Sequence, residues 1–177
     1  MNENEFRKLI LESARSNRSI HVIDIPDEIK SVLHLHPELY KYIKEKPYDL
    51  GLLKGGKYIG IELKNESKHL TWNISEVKDH QIKYLKECVK AGGQGIVLVR
   101  FKRAVNQKEK ERLGIPKTKW AIDFAFILPI KELLAKKIKS FPIEYLHEHF
   151  DVLELDKYTK KYNMDLLWKT TTNPKKP

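Results

Sequence analysis

The feature that most constrains the fold is a glycine pair set between two runs of alternating residues. The runs read YDLGLLK and KYIGIELK, and Gly55-Gly56 separates them. Two glycines flanked by alternating apolar residues are typical of a β-hairpin with a two-residue turn. Counting outward from the turn places Asp49 directly opposite Glu62, with Cβ atoms about 4.5–5.5 Å apart. The sequence therefore predicts a hairpin whose open end carries two facing carboxylates.

Strand alternation divides this hairpin into two faces. Glu62 and Lys64 point to the same side as Asp49, and Gly51 and Gly60 are expected to leave open space beside them. The opposite, apolar side is formed by Ile59, Ile61 and Leu63. One face of the hairpin can thus pack in a hydrophobic core, and the other carries charged side chains that could form an active site.

The chemistry that this face favours is metal binding. Like charges opposite each other destabilise a sheet, and a divalent cation between them would reverse that effect. Mg²⁺ commonly takes one or two carboxylates together with water and substrate phosphate. Lys64, on the same face as Glu62, would orient a water molecule or offset charge in the transition state. The alternative is a solvent-exposed hairpin with ordinary surface charges, since D-x(12)-E-x-K alone is a common spacing.

Outside the hairpin, apolar spacing and turn residues predict an alternation of helices and strands. The clearest helix spans 75–91, with Ser75 as its N-cap and Gly92-Gly93 as its stop. The other predicted helices are 3–16, 129–137, 142–149 and 157–168, and the other predicted strands are 20–24, 95–101, 120–128 and 151–155. This order favours an α/β fold, a mixed central β-sheet flanked by helices. We expect a single domain over 1–169 and a disordered basic tail over 170–177.

One polar residue interrupts the apolar seam of the 75–91 helix. Gln81 lies four residues after Val77 and four before Leu85, so it falls on the apolar seam and not on the solvent-exposed face of the helix. A buried amide needs hydrogen-bond partners. The candidates are a metal-bound water or a substrate phosphate beside the hairpin, or simply the backbone.

The charge balance indicates the class of partner. Lysine and arginine number 34 against 24 acidic residues, a net charge of +10, which favours a polyanion such as DNA. Basic residues cluster in the segment 102–119. Two interpretations of this segment are possible, a loop that contacts DNA and a charged loop that is merely solvated. Cys88 is the single cysteine, which excludes an internal disulfide and fits a reducing, cytoplasmic setting. The polar amino terminus and the absence of an apolar run of about 18 residues predict no membrane partner.

These residues, in this order, resemble the RecU-type Holliday junction resolvases of the PD-(D/E)XK nuclease superfamily. Asp49 and Glu62-Leu63-Lys64 resemble the nuclease core, with Tyr48 where other branches have proline. YDLGLLKGGKYIGIELKN resembles the hairpin of that family, and DHQIKYLKECVKAGG, with its His80-Gln81 pair, resembles the following helix. KSFPIEYLHEHFDVLEL resembles the segment near the family's carboxyl end, so the similarity spans roughly residues 45–155.

The resemblance implies a restriction-endonuclease-like fold and phosphodiester hydrolysis in four-way (Holliday) junctions, in DNA recombination and repair. It implies Mg²⁺, with Mn²⁺ as a substitute, and a homodimer that cuts two opposed strands. Asp49 and Glu62 would bind the metal, Lys64 would position or activate the attacking water, and Gln81 would orient water or phosphate.

Two further features are carried over from the family. Its members have a glutamate on the first helix that helps to hold metal; Glu5 precedes an apolar residue as in the family pattern, and Glu12 is the alternative. They also have a stalk-like insertion that enters the junction centre, and residues 25–46 occupy that position. Two other functions remain open: another PD-(D/E)XK DNA nuclease of restriction or repair type, and a non-catalytic DNA-binding module. The module would be marked by a broken acidic set, which is intact here.

Overall fold

The computed structural model describes residues 3–24, 48–114, 121–156 and 158–169. Its strands are β1 (His21–Asp24), β2 (Leu50–Lys54), β3 (Lys57–Glu66), β4 (Thr71–Asn73), β5 (Gln94–Ala104), β6 (Ala121–Pro129), β7 (Ser140–Pro142) and β8 (Asp151–Glu154). Its helices are α1 (Glu3–Arg15), α2 (Asp79–Lys90), α3 (Gln107–Arg112), α4 (Ile130–Ala135), α5 (Ile143–His149) and α6 (Leu166–Lys169), with a 3₁₀ turn at Ile74–Glu76. The predicted stalk at 25–46 and the tail at 170–177 lie outside the described residues.

Six strands form one sheet in the order β1-β2-β3-β5-β6-β8. Neighbouring strands are antiparallel except β3 and β5, which run parallel with Gly60 beside Gly95. A parallel pair requires a crossover, and α2 lies in the segment that joins these two strands. β4 and β7, which the sequence did not predict, pair in a separate two-stranded sheet. The prediction of a mixed sheet flanked by helices is confirmed.

Apolar layers cover both faces of the sheet. One layer joins α1, through Phe6 and Ile10, to the Ile61 and Leu63 side of β3 and to Leu98 of β5. The other layer lies beneath α2, α4 and α5 and contains Leu85, Val97, Val99, Phe126 and Leu146. The face that carries Glu62 is therefore not open to solvent throughout, because α2 covers part of it.

The start of α2 differs from the prediction, whereas its end agrees. Ser75 is not the N-cap, because Ile74–Glu76 form a separate 3₁₀ turn and α2 begins only at Asp79. At the other end, Gly92 has φ +82°, and the Gly93 N–H donates to the Cys88 carbonyl at 2.9 Å, which is a Schellman termination.

The helix predicted over 157–168 is wrong for most of its length. Among the described residues 158–169, only Leu166–Lys169 are helical. Before them, the Asp156 carboxylate accepts the backbone N–H groups of Tyr158 and Thr159 at 3.0 and 2.6 Å, and Leu155 bridges Tyr162. Lys160, with φ +55°, turns the chain back so that Asp156 and Lys161 bond through their backbones, which a continuous helix does not allow.

None of the helices in the four described ranges has the length and apolar character that crossing a bilayer would require.

Candidate active site

The hairpin forms with the predicted register. Gly55 and Gly56 have φ of +55° and +74°, the conformation that suits a two-residue hairpin turn. Pairing runs from Lys54 opposite Lys57 to Leu50 opposite Ile61. The glycine turn thus sets which residues reach the open end of the hairpin.

Asp49 lies at that open end, one residue before β2. Its backbone N–H donates to the Ile61 carbonyl at 3.0 Å, and its Oδ2 accepts the Leu63 N–H at 2.8 Å. The carboxylate therefore accepts from the residue that follows Glu62 in β3, and Asp49 as a whole is only 8% exposed. Two backbone contacts hold Asp49 next to Glu62.

Glu62 is the centre of a hydrogen-bonded group. Its side chain is 1% exposed, and its Oε1 accepts from the Lys64 Nζ at 2.8 Å and from the Gln81 Nε2 at 2.6 Å. Gln81 is held at its other end, where its Oε1 accepts the Lys78 N–H at 2.9 Å. The structure thus brings together Glu62, Lys64 and Gln81, and it places Asp49 at the adjoining end of the hairpin.

The type of these donors suits a divalent cation. A buried carboxylate is costly unless it is paired, and Lys64 offsets the charge of Glu62. Two neighbouring carboxylates match the usual protein contribution to a Mg²⁺ site, with water and phosphate supplying the other ligands. Within the described ranges, no cluster of three or more His, Cys, Asp or Glu residues is positioned to hold a metal ion. The residues present fit a site with two carboxylates.

Glu5 lies on the other side of the sheet from Glu62. Its carboxylate accepts from the Lys102 Nζ at 3.3 Å, and Lys102 lies 3.8 Å from Asp123, which also binds Arg100 at 2.7 Å. Arg100 and Lys102 alternate with the residues of β5 that face α2, so this network belongs to the α1 side. The structure does not bring Glu5 together with Glu62, and its metal role stays a prediction.

Glu12, the alternative on the same helix, is exposed and lies 3.9 Å from Lys8. It too is separate from the group around Glu62. The contacts of the two first-helix glutamates are with Lys102 and Lys8, not with the residues around Glu62.

The open space expected at Gly51 and Gly60 is filled by aromatic side chains, so that expectation is wrong. A Cβ at Gly51 would lie 2.3 Å from the Tyr58 hydroxyl, and one at Gly60 would lie 2.9 Å from the Cys88 sulfur and 3.2 Å from the Tyr48 ring. The Tyr48 and Tyr58 hydroxyls are hydrogen-bonded to each other. Alternation predicts which way these positions face but not which side chains fold over them.

Sequence reasoning did not single out the basic residues of α2. In the described part of the segment 102–119, Arg103 binds Glu109 at 3.0 Å and Lys110 is only 2% exposed, whereas Lys108 and Arg112 are exposed, Arg112 with Glu144 at 2.7 Å. The helix α2 carries a further row of exposed lysines, termed the α2 lysine row: Lys83, Lys86 and Lys90. The signal that could have revealed this row is its i, i+3, i+7 spacing, which places all three on one side of a helix.

Comparison with known proteins identifies the family. The family model for Recombination protein U (RecU) matches residues 41–162. The chain belongs to the RecU family. Asp49, Glu62, Lys64 and Gln81 all lie within the part that matches RecU, whereas Glu5 lies outside it.

Other comparisons add less. No curated protein matches the chain significantly. Among solved structures, Hjc from Archaeoglobus fulgidus, a Holliday junction resolvase from an archaeal hyperthermophile, aligns over 72% of this chain and 75% of that chain. Its sequence identity is 15% and its TM-score is 0.39, a likeness too distant to bear on function.

Proposed function

We propose that this RecU-family protein is a metal-dependent endonuclease that resolves four-way (Holliday) DNA junctions by hydrolysing phosphodiester bonds. The single observation that carries the proposal is the buried Glu62, bonded to Lys64 and Gln81 beside Asp49, within the part of the chain that matches the family. A buried ion pair adds little to stability compared with apolar packing, so a chemical role is the better explanation for it.

Asp49 and Glu62 would hold the cation, which we propose is Mg²⁺, with Mn²⁺ as a substitute. The bound metal would polarise a phosphoryl oxygen and lower the pKa of a coordinated water. Lys64 would orient the attacking water or offset negative charge on the phosphate, since its ammonium lies 2.8 Å from the Glu62 carboxylate. Gln81 would fix the orientation of Glu62, because the Lys78 N–H and the Glu62 carboxylate hold both ends of its amide.

Binding to the junction would rest mainly on charge. The net charge is +10, and the α2 lysine row begins two residues after Gln81, on the solvent-exposed face of the same helix. From Lys83 to Lys90 the helix advances by about 10 Å, enough to contact more than one phosphate of a DNA strand that passes over α2. A homodimer would supply two such sites for two opposed strands of one junction, acting in recombination and repair.

The experiment compares a labelled four-way junction with a linear duplex of matched sequence, each with Mg²⁺ and with chelator. We expect paired nicks in the junction alone, lost with chelator. Equal cutting of both substrates would replace the resolvase with a general nuclease of the same superfamily. Tight junction binding without cutting would indicate a binding module.

Alanine variants then test the site. Asp49→Ala should abolish cleavage and retain junction binding, because binding depends on lysine and arginine. Normal cutting by this variant would show the site to be wrong. Glu5→Ala, compared in parallel, decides whether the first helix contributes: a loss as complete as that of Asp49→Ala would assign Glu5 a metal role.

A further inference from the structure

A cavity lined by tyrosines lies beside the proposed site. Its volume is about 440 Å³, within the range of small-ligand pockets, and we term it the tyrosine cavity. It lies between the hairpin and the second half of α2. Its lining residues are Tyr48, Tyr58, Tyr84, Glu87, Cys88, Ala91 and Gly93.

The tyrosine cavity shares a face of the sheet with Glu62. Tyr58, Gly60 and Glu62 alternate along β3 and therefore point to the same side. The Tyr48 ring covers Gly60, two residues before Glu62, which corresponds to about 7 Å along a strand. The cavity thus begins about one nucleotide from the residues proposed to act on the phosphate.

The walls of this cavity are largely aromatic and, apart from Glu87, uncharged. Burial raises the pKa of Tyr48 and that of Tyr58, and the two hydroxyls are hydrogen-bonded to each other. Burial also raises the pKa of the Cys88 thiol, which therefore stays protonated at neutral pH. The charged lining residue is Glu87, an exposed carboxylate that would repel a phosphate. These walls suit a flat, neutral ring with amino groups at its edge.

We propose that the tyrosine cavity takes an unstacked nucleobase of the junction, next to the phosphate that is cut. This inference rests on the proposed function and adds a specificity-determining subsite to it. Bases at a branch point are easier to unstack than those in an intact duplex, and every base offers a face that stacks on tyrosine. Glu87 would favour bases that carry an exocyclic amino group, because a carboxylate accepts from such a donor.

The test measures junction affinity in chelator, so that it does not depend on cleavage. Tyr84→Ala and Tyr84→Phe are compared with wild type on junctions that carry one abasic position at a time around the branch point. Tyr158→Ala is the matched control, since Tyr158 is 81% exposed and lies outside the cavity. Ala91→Phe fills the cavity without removing a tyrosine.

We expect Tyr84→Ala to weaken binding of the intact junction by about fivefold to a hundredfold, the range for loss of one base–aromatic stack. That loss should vanish on one particular abasic junction, where the base is already missing. Tyr84→Phe and Tyr158→Ala should bind like wild type, and Ala91→Phe should behave like Tyr84→Ala.

Unchanged affinity of Tyr84→Ala would overturn the proposal, as would an equal loss on every abasic junction or a Tyr84→Phe variant as weak as Tyr84→Ala. These outcomes concern the cavity alone. Failure of the wild-type protein to prefer junction over duplex would instead overturn the proposed function.

Discussion

At the scale of single residues, Glu62 combines burial with a charge that its neighbours stabilise. It is 1% exposed, and the ammonium of Lys64 and the amide of Gln81 share one of its oxygens. Removing its charge should therefore affect chemistry more than folding, because Lys64 is 12% exposed and can turn toward water.

Glu62→Gln is the substitution that tests this point. We expect junction cleavage to fall by about a hundredfold or more, as for loss of one preorganised electrostatic group. The melting temperature should change by a few degrees at most, measured by thermal unfolding. Glu66→Gln is the matched control on the same strand, where the carboxylate accepts the backbone N–H groups of Lys68 and His69. Equal cleavage losses in both variants would contradict a specific role for Glu62.

Residue positions on the hairpin could be predicted from sequence, but their contacts could not. The glycine turn and strand alternation were enough to place Asp49 near Glu62 with Lys64 on the same face. The direct bond from Gln81 to Glu62 was not predicted, because it depends on where α2 begins. Glu5 illustrates the same limit, since helical spacing does not determine which face of the sheet the helix covers.

At the scale of elements, the contact of α2 with the sheet positions Gln81. A Cβ on Gly95 would lie 2.3 Å from the Leu85 carbonyl oxygen, so α2 approaches β5 closely at this glycine. Because the clashing atom belongs to the helix backbone, a Cβ at Gly95 could be accommodated only if α2 moved as a whole. Gly95 is therefore a structural determinant of the site although it touches none of the proposed catalytic residues.

Gly95→Ala should push α2 away from the sheet and weaken the bond between Gln81 and Glu62. We expect a loss of unfolding free energy of about 1–3 kcal/mol, the usual cost of overpacking, measured by urea denaturation. Junction cleavage should fall at temperatures where the variant is still folded. A variant with normal stability and normal cleavage would show that α2 is not held at this glycine.

A polar contact fixes the turn end of the hairpin to the C-terminal part of the domain. The Lys54 Nζ donates to Asp165 at 2.6 Å and also lies 5.5 Å from the centre of the Trp168 ring. The hydrogen bond from Lys54 lowers the pKa of the Asp165 carboxyl. A carboxyl whose pKa is lowered by folding stabilises the protein above its unfolded pKa, about 3.9, and loses that effect as the pH falls through the folded pKa.

Asp165→Asn should consequently lower stability at neutral pH and have less effect in acid. Because the pair is partly exposed, we expect a difference of about 0.2–1 kcal/mol at pH 7 that shrinks below pH of about 4. Urea denaturation of both proteins between pH 3 and pH 7 measures it. A difference that stayed constant over this range would show that ionisation of Asp165 is not responsible.

Elements with a strong local signal were predicted better than those held by tertiary contacts. β5 and β6, with their continuous apolar runs, were both expected, and so was the end of α2 at Gly92. β4 and β7 are three residues each and exist only as partners of each other. No local sequence pattern predicts such short strands, because their stability comes from pairing between distant segments.

At the scale of the whole molecule, we expect the distribution of basic residues over the surface to determine where DNA binds, more than the net charge does. Several basic residues of the segment 102–119 bind acidic partners within the protein, whereas the α2 lysine row is exposed. The row lies on the side of the sheet that carries Glu62, and α1 lies on the other side. We therefore expect junction DNA to approach from the α2 side.

The salt dependence of junction affinity, measured on lysine variants, tests whether DNA binds on the α2 side. Each phosphate contact contributes about 0.9 to the slope of log affinity against log salt concentration. Replacing the α2 lysine row by alanine should reduce that slope by about two to three and weaken junction binding most at low salt. A control variant removes the same number of charges at Lys8 of α1 and at Lys160 and Lys161, which precede Tyr162 of the α1-side core. It should keep the wild-type slope because those residues would not touch DNA. If both triple variants lost the same slope, affinity would depend on net charge alone and the α2 side would not be the DNA-binding face.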